Sequence, residues 1–269
     1  MENTKSIEHY TLLTGATGGI GRAFAKALAS AGCNLYLTGR SESKLLALRE
    51  ELSREYPSVS VSVCACMLTD ENSRLRMFDK ICGENIIFDR LCNVAGVDTQ
   101  KAFEKYTQEK IAFQCRVNFE ATLSVTHFVL AHRAPNLEII TISSMSGVYP
   151  MPYFAIYSAS KSALLSFFSS LRLELKGKGV KITTVMPGGV FTRPDIVEDI
   201  KGQGLWGKLS AKTPEYIAVK SLRAVRRNKR KYIPGFWNKV IATVPKILPL
   251  GVRMRFIARR WKRLEKDAF

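Results

Sequence analysis

Tyr10-Thr11-Leu12-Leu13-Thr14-Gly15-Ala16-Thr17-Gly18-Gly19-Ile20-Gly21 is the stretch that decides the fold of this chain. A short apolar run of the strand type leads directly into a glycine-rich turn, and an alanine-rich helical pattern follows it. Glycines at such a turn let the backbone bend sharply and approach a pyrophosphate, which then rests at the N-terminus of the helix. The stretch therefore predicts a strand, turn and helix that bind a dinucleotide.

The rest of the sequence repeats this alternation of strand and helix. Strand-like runs lie near residues 10–14, 34–38, 59–66, 86–92, 137–142 and 181–186, and helical patterns lie near 19–31, 43–55, 71–82, 107–132 and 157–176. A helix from Pro214 to about Arg227 and a short strand at Lys231 to Ile233 close the series. The alternation predicts an α/β fold, a Rossmann-like doubly wound parallel sheet of about seven strands with helices on both faces.

Length and composition fit one catalytic domain. The chain has 269 residues, of which 46% are hydrophobic, enough for one large core over residues 1–235, followed by a basic helical extension over 236–269. Residues 1–9 are polar and do not resemble a signal peptide, so we expect a cytoplasmic protein. The six cysteines include no CxxC pair and the three histidines are scattered, so we expect reduced core cysteines and no metal site.

Tyr157-Ser158-Ala159-Ser160-Lys161 carries the most informative chemistry. On a helix the phenol and the ammonium group stand one turn apart on the same face. A nearby cation stabilises a phenolate, so we expect Lys161 to lower the pKa of Tyr157 and make it a general acid and base. Ser144 follows the buried run from Leu137 to Ile142, where a loop of about a dozen residues could bring its hydroxyl next to the phenol.

These motifs together resemble the short-chain dehydrogenase/reductase superfamily in its single-domain, NADP(H)-preferring branch, over roughly residues 8 to 195. The resemblance rests on TGATGGIG at 14–21, CNVAG at 92–96, Asn118, ISS at 142–144, YSASK at 157–161 and MPGGVFT at 186–192. Gly15, Gly18 and Gly21 also satisfy the glycine spacing of the extended, epimerase-like branch. Chain length and the PGGVFT segment favour the shorter branch.

The resemblance implies a role for each matching position. Tyr157 would protonate a substrate carbonyl oxygen as hydride arrives from the nicotinamide, Ser144 would hydrogen-bond the same oxygen, and Lys161 would also hold the nicotinamide ribose. Asn118 would hold a water in the proton relay, unless it only satisfies a kinked helix. The implied cofactor-binding residues are Gly15, Thr17, Gly18, Gly19, Ile20, Gly21, Arg40, Ser41, Met67, Leu68, Asn93, Ala95, Gly96, Tyr157, Lys161, Pro187, Gly188, Val190 and Thr192.

Two of these positions bear on the cofactor. Arg40 follows the second strand, where an enzyme that prefers NAD usually has an acidic residue for the ribose 2′-hydroxyl; an arginine suits a 2′-phosphate. We therefore expect NADP(H), although a solvated loop arginine is the alternative. Met67 stands where the family usually has an Asp that contacts the adenine amino group, so packing and backbone groups would hold the adenine.

The substrate is expected to be an apolar ketone or aldehyde, such as a lipid, a long-chain acyl compound or a sterol-like ketone. The loop before Tyr157 is rich in large apolar side chains, the lid expected between Phe191 and Lys212 adds Phe191 and Trp206, and no basic cluster for a small acid is evident there. The leading hypothesis is an NADPH-dependent carbonyl reductase or alcohol dehydrogenase. The alternative is a catalytically silent NADP(H)-binding regulatory or scaffold protein, which intact Ser144, Tyr157 and Lys161 disfavour.

The positive charge of the chain is concentrated in its C-terminal part. Residues 1–200 carry 22 Lys and Arg against 20 Asp and Glu, whereas residues 201–269 carry 19 against 3, a balance of +16 out of a net +18. Apolar stripes with basic opposite faces run through residues 237–248 and 254–266. They predict either peripheral binding to an anionic membrane, at the inner face, or docking on the protein itself.

Other partners follow from the same charge and from the resemblance. An acidic acyl-carrier protein is a second anionic partner if the substrate is an acyl chain. Nucleic acid is not expected, because no binding module is recognisable. The family resemblance implies a homo-oligomer, a dimer or a tetramer.

Overall fold

The computed structural model describes residues 8–84, 86–192, 210–243 and 249–261. Within these ranges the strands are β1 Glu8–Thr14, β2 Asn34–Gly39, β3 Val61–Ala65, β4 Ile86–Asn93, β5 Arg133–Ile142, β6 Val180–Val185 and β7 Lys231–Tyr232. They form one sheet of seven parallel strands in the order β3-β2-β1-β4-β5-β6-β7. The predicted doubly wound sheet is confirmed.

The helices alternate with the strands and then continue beyond the sheet. They are α1 Gly19–Ala29, α2 Glu42–Glu55, α3 Glu71–Cys82, α4 Gln108–Cys115, α5 Ala121–Ala131, α6 Ala155–Glu174, α7 Pro214–Arg226, α8 Phe236–Thr243 and α9 Leu250–Trp261. Short 3-10 turns lie at Phe103–Lys105 and Met145–Gly147. None of the described helices combines the length and the apolar character that crossing a bilayer requires.

Both faces of the sheet are covered, which explains why its strands are continuous apolar runs. Successive side chains of a strand point to opposite faces. Leu13 accordingly packs in a core cluster with residues of α1, α2 and α7, whereas Leu12 packs in a second cluster with residues of α3, α5 and α6. A strand buried on both faces needs apolar residues at consecutive positions, as Leu12 and Leu13 show.

Local sequence sets several helix starts. The carboxylate of Asp70 accepts a hydrogen bond from the Ser73 N–H at 2.8 Å and caps α3. Thr213 caps α7 in the same way through the N–H of Tyr216 at 3.2 Å, and Pro214 occupies the first helical turn, where it costs no hydrogen bond.

Two expected boundaries were wrong. The helix expected over 107–132 is two helices, α4 and α5, joined by a π-helical turn at Arg116–Glu120. The strand expected from residue 137 begins at Arg133, because Arg133 already pairs with Phe88 of β4. Both differences come from contacts with other elements, which periodicity along the chain does not report.

The C-terminal helices are partly buried. Asn238 and Ala242 of α8 are almost fully buried, whereas the side chains of Phe236 in α8 and Phe256 in α9 are each 70% exposed. Most of the expected lid, including Trp206, lies outside the described residues, as do residues 244–248 and 262–266 of the two amphipathic stripes. At the edges of the lid, Val190 and Lys212 form an isolated parallel bridge.

Candidate active site

A large cavity opens at the carboxyl ends of β1 and β4, where the strand order reverses. β1 pairs with β2 on one side and with β4 on the other, so the connections leaving β1 and β4 diverge there. Ligands of doubly wound sheets bind in this crevice. The cavity has a volume of about 1150 Å³ and is lined by the glycine turn, by the YSASK helix and by residues of α8 and α9.

The glycine turn has the geometry of a phosphate cradle. Gly15 has φ of +66°, and a Cβ on it would lie 2.8 Å from the Cα of Ala95. A Cβ on Gly21 would lie 2.1 Å from the carbonyl oxygen of Gly15, so both positions require glycine. Gly18 caps α1 without a side chain, and the first turn of α1 has no acidic residue. The free N-terminus of α1 thus faces the cavity beside Thr17, Gly19 and Ile20, and these groups fit a pyrophosphate.

The second group of predicted cofactor residues lies at the ends of β2 and β3. Arg40 is exposed on the cavity wall and has no ion pair among the described residues. Ser41 does not line the cavity; its hydroxyl caps α2 by accepting from the Lys44 N–H at 3.4 Å. Met67 and Leu68 do line it, and the Met67 side chain is 44% exposed there. This apolar surface fits the packing expected for an adenine ring.

Asn93 lies below the site rather than in it. It is buried, and its Nδ2 donates to the Thr126 and Thr141 hydroxyls at 3.1 and 3.4 Å. Direct cofactor contact by Asn93 is therefore a prediction that the structure does not support. Ala95 and Gly96, which follow it, line the cavity as expected.

The hydroxyl, phenol and ammonium groups come together on one wall. Ser144 lies two residues after the end of β5, and Tyr157 and Lys161 lie on the first turns of α6, all three at the cavity. The Lys161 Nζ donates to the Ile142 carbonyl at 3.0 Å and lies 5.7 Å from the centroid of the Tyr157 ring. The Ser143 hydroxyl donates to the Lys161 carbonyl at 2.8 Å, which fixes the helix on the end of β5.

Asn118 lies behind this wall, in the π-helical turn. Its Oδ1 accepts from the Val97 N–H at 2.8 Å, and its Nδ2 donates to the Val97 carbonyl at 2.8 Å and to the Ser160 hydroxyl at 3.2 Å. A Cβ on Gly96 would lie 3.0 Å from the Lys161 Nζ and 3.2 Å from the Asn118 Oδ1. The side-chain amide is therefore satisfied by protein groups, next to the lysine but not lining the cavity.

The pKa values of Tyr157 and Lys161 differ from the expected pattern. Burial raises the pKa of Tyr157, the charge of Asp98 raises it further, and a hydrogen bond from Ser144 opposes both. Burial lowers the pKa of Lys161 to about 8, and Asp98 opposes this shift. The pKa of Tyr157 is thus raised and not lowered as expected, and burial is the largest cause.

The segment after β6 closes the nicotinamide end of the predicted site. Pro187, Gly188, Val190 and Thr192 all line the cavity. A Cβ on Gly188 would lie 2.7 Å from the Oδ1 of Asn238, so this backbone packs directly against α8.

Sequence reasoning missed several cavity residues. Asp98 lines the cavity from the loop after β4, and no sequence signal identified it. Additional cavity residues come from the two C-terminal helices: Asn238, Val240, Ile241, Val252, Arg253, Phe256 and Ile257. The apolar stripe had marked some of them, but it did not show what they face.

The chain belongs to the short-chain dehydrogenase family, a family of oxidoreductases, whose model matches residues 9–200. A relative from Arabidopsis thaliana, 11-beta-hydroxysteroid dehydrogenase-like 3, is 30% identical over 256 residues, covering 92% of this chain and 81% of the relative. A solved 7beta-hydroxysteroid dehydrogenase superposes with a TM-score of 0.81 at 24% identity, over 94% of this chain and 97% of the other. A short-chain dehydrogenase from Sphingobium yanoikuyae in complex with NADPH has a TM-score of 0.75 at 24% identity, over 97% and 98%. These two structures share the fold.

Asp98→Asn should lower the pKa of Lys161 below its value of about 8, because the carboxylate stabilises the ammonium form. The pKa can be followed by NMR of protein with 13C-labelled lysine side chains, where the Lys161 signal is the one lost in Lys161→Met. Asp79→Asn, which removes an exposed carboxylate of α3, is the matched control and should leave the titration in place. Coincident Lys161 titrations in wild type and Asp98→Asn would contradict the electrostatic role of Asp98.

Proposed function

We propose that this protein is an NADPH-dependent carbonyl reductase, or in the reverse direction an alcohol dehydrogenase, that acts on an apolar ketone or aldehyde. The observation that carries the proposal is the meeting of Ser144, Tyr157 and Lys161 on the wall of a cavity that also contains a phosphate cradle. A dinucleotide site alone would serve many functions. A proton donor and a second hydroxyl beside it are what carbonyl reduction needs.

Each residue of this wall has a separate task in the proposed reaction. NADPH supplies the hydride when it is bound. Tyr157 donates its phenolic proton to the carbonyl oxygen of the substrate, and Ser144 donates a hydrogen bond to the same oxygen as negative charge develops on it. Lys161 binds the nicotinamide ribose and, when charged, favours the phenolate that remains on Tyr157.

The side-chain amide of Asn118 already forms hydrogen bonds with Val97 and Ser160. A relay water held by Asn118 stays a prediction, and these bonds suggest a second role. We propose that this amide positions Gly96 and Val97 against the Lys161 ammonium group. In that case Asn118 is a positioning residue for the lysine.

The preference for NADP(H) rests on Arg40. Its guanidinium group is exposed on the cavity wall without an acidic partner among the described residues, so it is available for a 2′-phosphate. Lys44 lines the same end of the cavity and adds a second positive charge. The Sphingobium relative binds NADPH, in keeping with this choice.

The apolar substrate class is supported by the side chains that surround Tyr157. Met145, Met151 and Phe154 line the cavity from the loop before α6, and Val240 and Ile241 line it from α8. The Arabidopsis relative is named for a hydroxysteroid activity, which fits a bulky, sterol-like ketone. A long-chain acyl ketone would use the same surface.

The alternative function is a silent NADP(H)-binding regulatory or scaffold protein. It predicts that NADPH binds but that no ketone, aldehyde or acyl thioester is turned over. The presence of Ser144 and Tyr157 on the same cavity wall favours the enzyme, because a dinucleotide site alone does not need this pair of hydroxyl groups. A turnover screen with NADPH separates the two hypotheses.

We further propose that the chain consists of a catalytic unit over 1–235 and an extension over 236–269 that binds an anionic membrane from the cytoplasmic side. Phe236, Trp237 and Leu250 of this extension are exposed apolar residues, and the basic balance of residues 201–269 complements anionic headgroups. An acidic acyl-carrier protein would be attracted by the same charge. A dimer or tetramer, as the family resemblance implies, stays a prediction.

Tyr157→Phe should abolish carbonyl reduction and leave NADPH binding nearly intact, because it removes only the proton donor. The expected loss of kcat is about 10²-fold to 10⁴-fold, measured by the disappearance of NADPH absorbance with an apolar ketone. Tyr153→Phe, whose side chain does not line the cavity, is the matched control. Retention of more than a few per cent of wild-type kcat in Tyr157→Phe would make the assignment wrong.

Arg40→Asp should weaken NADPH binding about tenfold to a hundredfold, as expected for loss of a charge-assisted contact and its replacement by repulsion. NADH binding should change little, because NADH lacks the 2′-phosphate. Fluorescence titration with both cofactors measures the effect, and Lys178→Asp, an exposed charge reversal elsewhere, is the control. Equal losses for the two cofactors would remove Arg40 from the 2′-phosphate site.

The protein should sediment with vesicles of phosphatidylcholine and phosphatidylserine, and salt should weaken this binding by screening the basic surface. Phe236→Ser combined with Leu250→Ser should weaken it even at low salt, because both side chains are exposed apolar anchors. Leu173→Ser, equally apolar and 73% exposed on α6, is the matched control. If the C-terminal helices only dock on the protein itself, the protein should not sediment with vesicles under any of these conditions.

A further inference from the structure

The two C-terminal helices, α8 and α9, form one wall of the cavity. This wall is far from the glycine turn along the chain, and most of its lining side chains are apolar. Val240 and Ile241 of α8 and Val252, Phe256 and Ile257 of α9 contribute apolar surface to it. Between them lies one basic side chain, Arg253 of α9. The sequence shows no basic cluster in the loop before Tyr157 or in the expected lid, so this cation is the unexpected feature of the wall.

Arg253 is held in place but not neutralised. Its guanidinium carbon lies 5.3 Å from the centroid of the Tyr149 ring, a cation–π contact. Its Nε is buried and has no hydrogen-bond acceptor among the described residues. No ion pair of Arg253 occurs in the described part of the chain, so the guanidinium group keeps a free positive charge at the cavity.

The aromatic ring beneath Arg253 is itself fixed. The Tyr149 hydroxyl donates to the Ile241 carbonyl at 3.2 Å and to the Ala242 carbonyl, both at the end of α8. The Ser158 hydroxyl donates to the Tyr149 carbonyl at 2.9 Å, which ties the loop to α6 one residue after Tyr157. The position of the guanidinium group is thus coupled to the catalytic helix through Tyr149.

The charged residues that line the cavity lie in different parts of it. Arg40 and Lys44 lie at the predicted 2′-phosphate end, and Lys161 belongs to the catalytic pair. Among the described lining residues, Asp98 is the one carboxylate, and its charge acts on Tyr157 and Lys161. An anionic group on a substrate would be repelled beside Asp98 and attracted toward Arg253.

We propose that Arg253 binds an oxyanion on the substrate, such as a carboxylate or a phosphate, while the apolar body of the substrate crosses the cavity to place its carbonyl at Tyr157. The substrate is then an amphiphile with a carbonyl group and an anionic group separated by apolar structure. Arg253 selects its orientation, because its forked donors match a carboxylate or phosphate. This inference rests on the proposed carbonyl reductase function.

The kinetic test uses ω-oxoalkanoates of graded chain length, each an aldehyde with a distant carboxylate, and their methyl esters. Wild-type protein should prefer the acid to its ester at one range of chain lengths, measured as the ratio of kcat/KM values. In Arg253→Met this ratio should fall about 10-fold to 100-fold, as for loss of a charge-assisted hydrogen bond. Arg253→Lys should recover part of the ratio, because it keeps the charge without the fork.

Controls separate recognition from packing. Arg223→Met removes an exposed arginine of α7 that does not line the cavity, and it should leave the ratio at the wild-type value. Thermal unfolding and NADPH affinity of Arg253→Met show whether the fold and the cofactor site persist. Equal losses for acid and ester in Arg253→Met, or a wild-type ratio near one at every chain length, would overturn the proposal.

A binding experiment tests the inference independently of turnover. Soluble octanoate and octyl phosphate should bind to the NADP⁺-loaded protein by isothermal titration calorimetry, and Arg253→Met should weaken this binding while octanol binding keeps its wild-type affinity. The anion that binds more tightly identifies the oxyanion. If no aldehyde is turned over but octanoate or octyl phosphate binding depends on Arg253, the reductase proposal fails and the anion site stands. If Arg253→Met instead loses only vesicle sedimentation, the arginine serves the lipid surface and the inference is wrong.

Discussion

A buried ammonium group organises the site. Lys161 is almost inaccessible to solvent, its Nζ donates to the last carbonyl of β5, and its backbone carbonyl accepts from the Ser143 hydroxyl. A Cβ on Gly147 would lie 2.8 Å from the Lys161 carbonyl carbon, so the loop before α6 also packs on this residue. A buried cation needs such partners, since desolvation would otherwise favour its neutral form. The ends of β4 and β5, the loop and α6 are thereby fixed relative to one another.

The sheet and most of the cavity could be predicted from sequence because their signals are local. The apolar pair Leu12 and Leu13 reports a strand covered on both faces, and Gly15 and Gly21 report a turn with no room for side chains. The π-helical turn at Arg116–Glu120 and the burial of Asn93 could not be predicted, because both depend on neighbours that are remote in the chain. The early start of β5 has the same cause.

Sequence alone also could not predict the pKa shifts in the site or the surroundings of the two C-terminal helices. The spacing of Tyr157 and Lys161 correctly predicted that they share one face of a helix. The direction in which the Tyr157 pKa shifts depends on burial and on Asp98, which lies in a different loop. The amphipathic stripes gave helices at α8 and α9. They could not show that one helix carries both exposed side chains, such as Phe236, and a buried one, Asn238, which packs on Gly188.

The wall formed by α8 and α9 follows the last strand of the sheet, and none of the pairings between the described strands includes it. Residues there can therefore be exchanged without disturbing strand register or the burial of the two core clusters. Where Asn238 packs on Gly188, the wall meets the proposed dinucleotide site, so that contact is the constraint on such exchanges. Sequence drift in these two helices would alter which molecules enter the cavity while the fold stays stable, which gives this protein a direct route to new substrates.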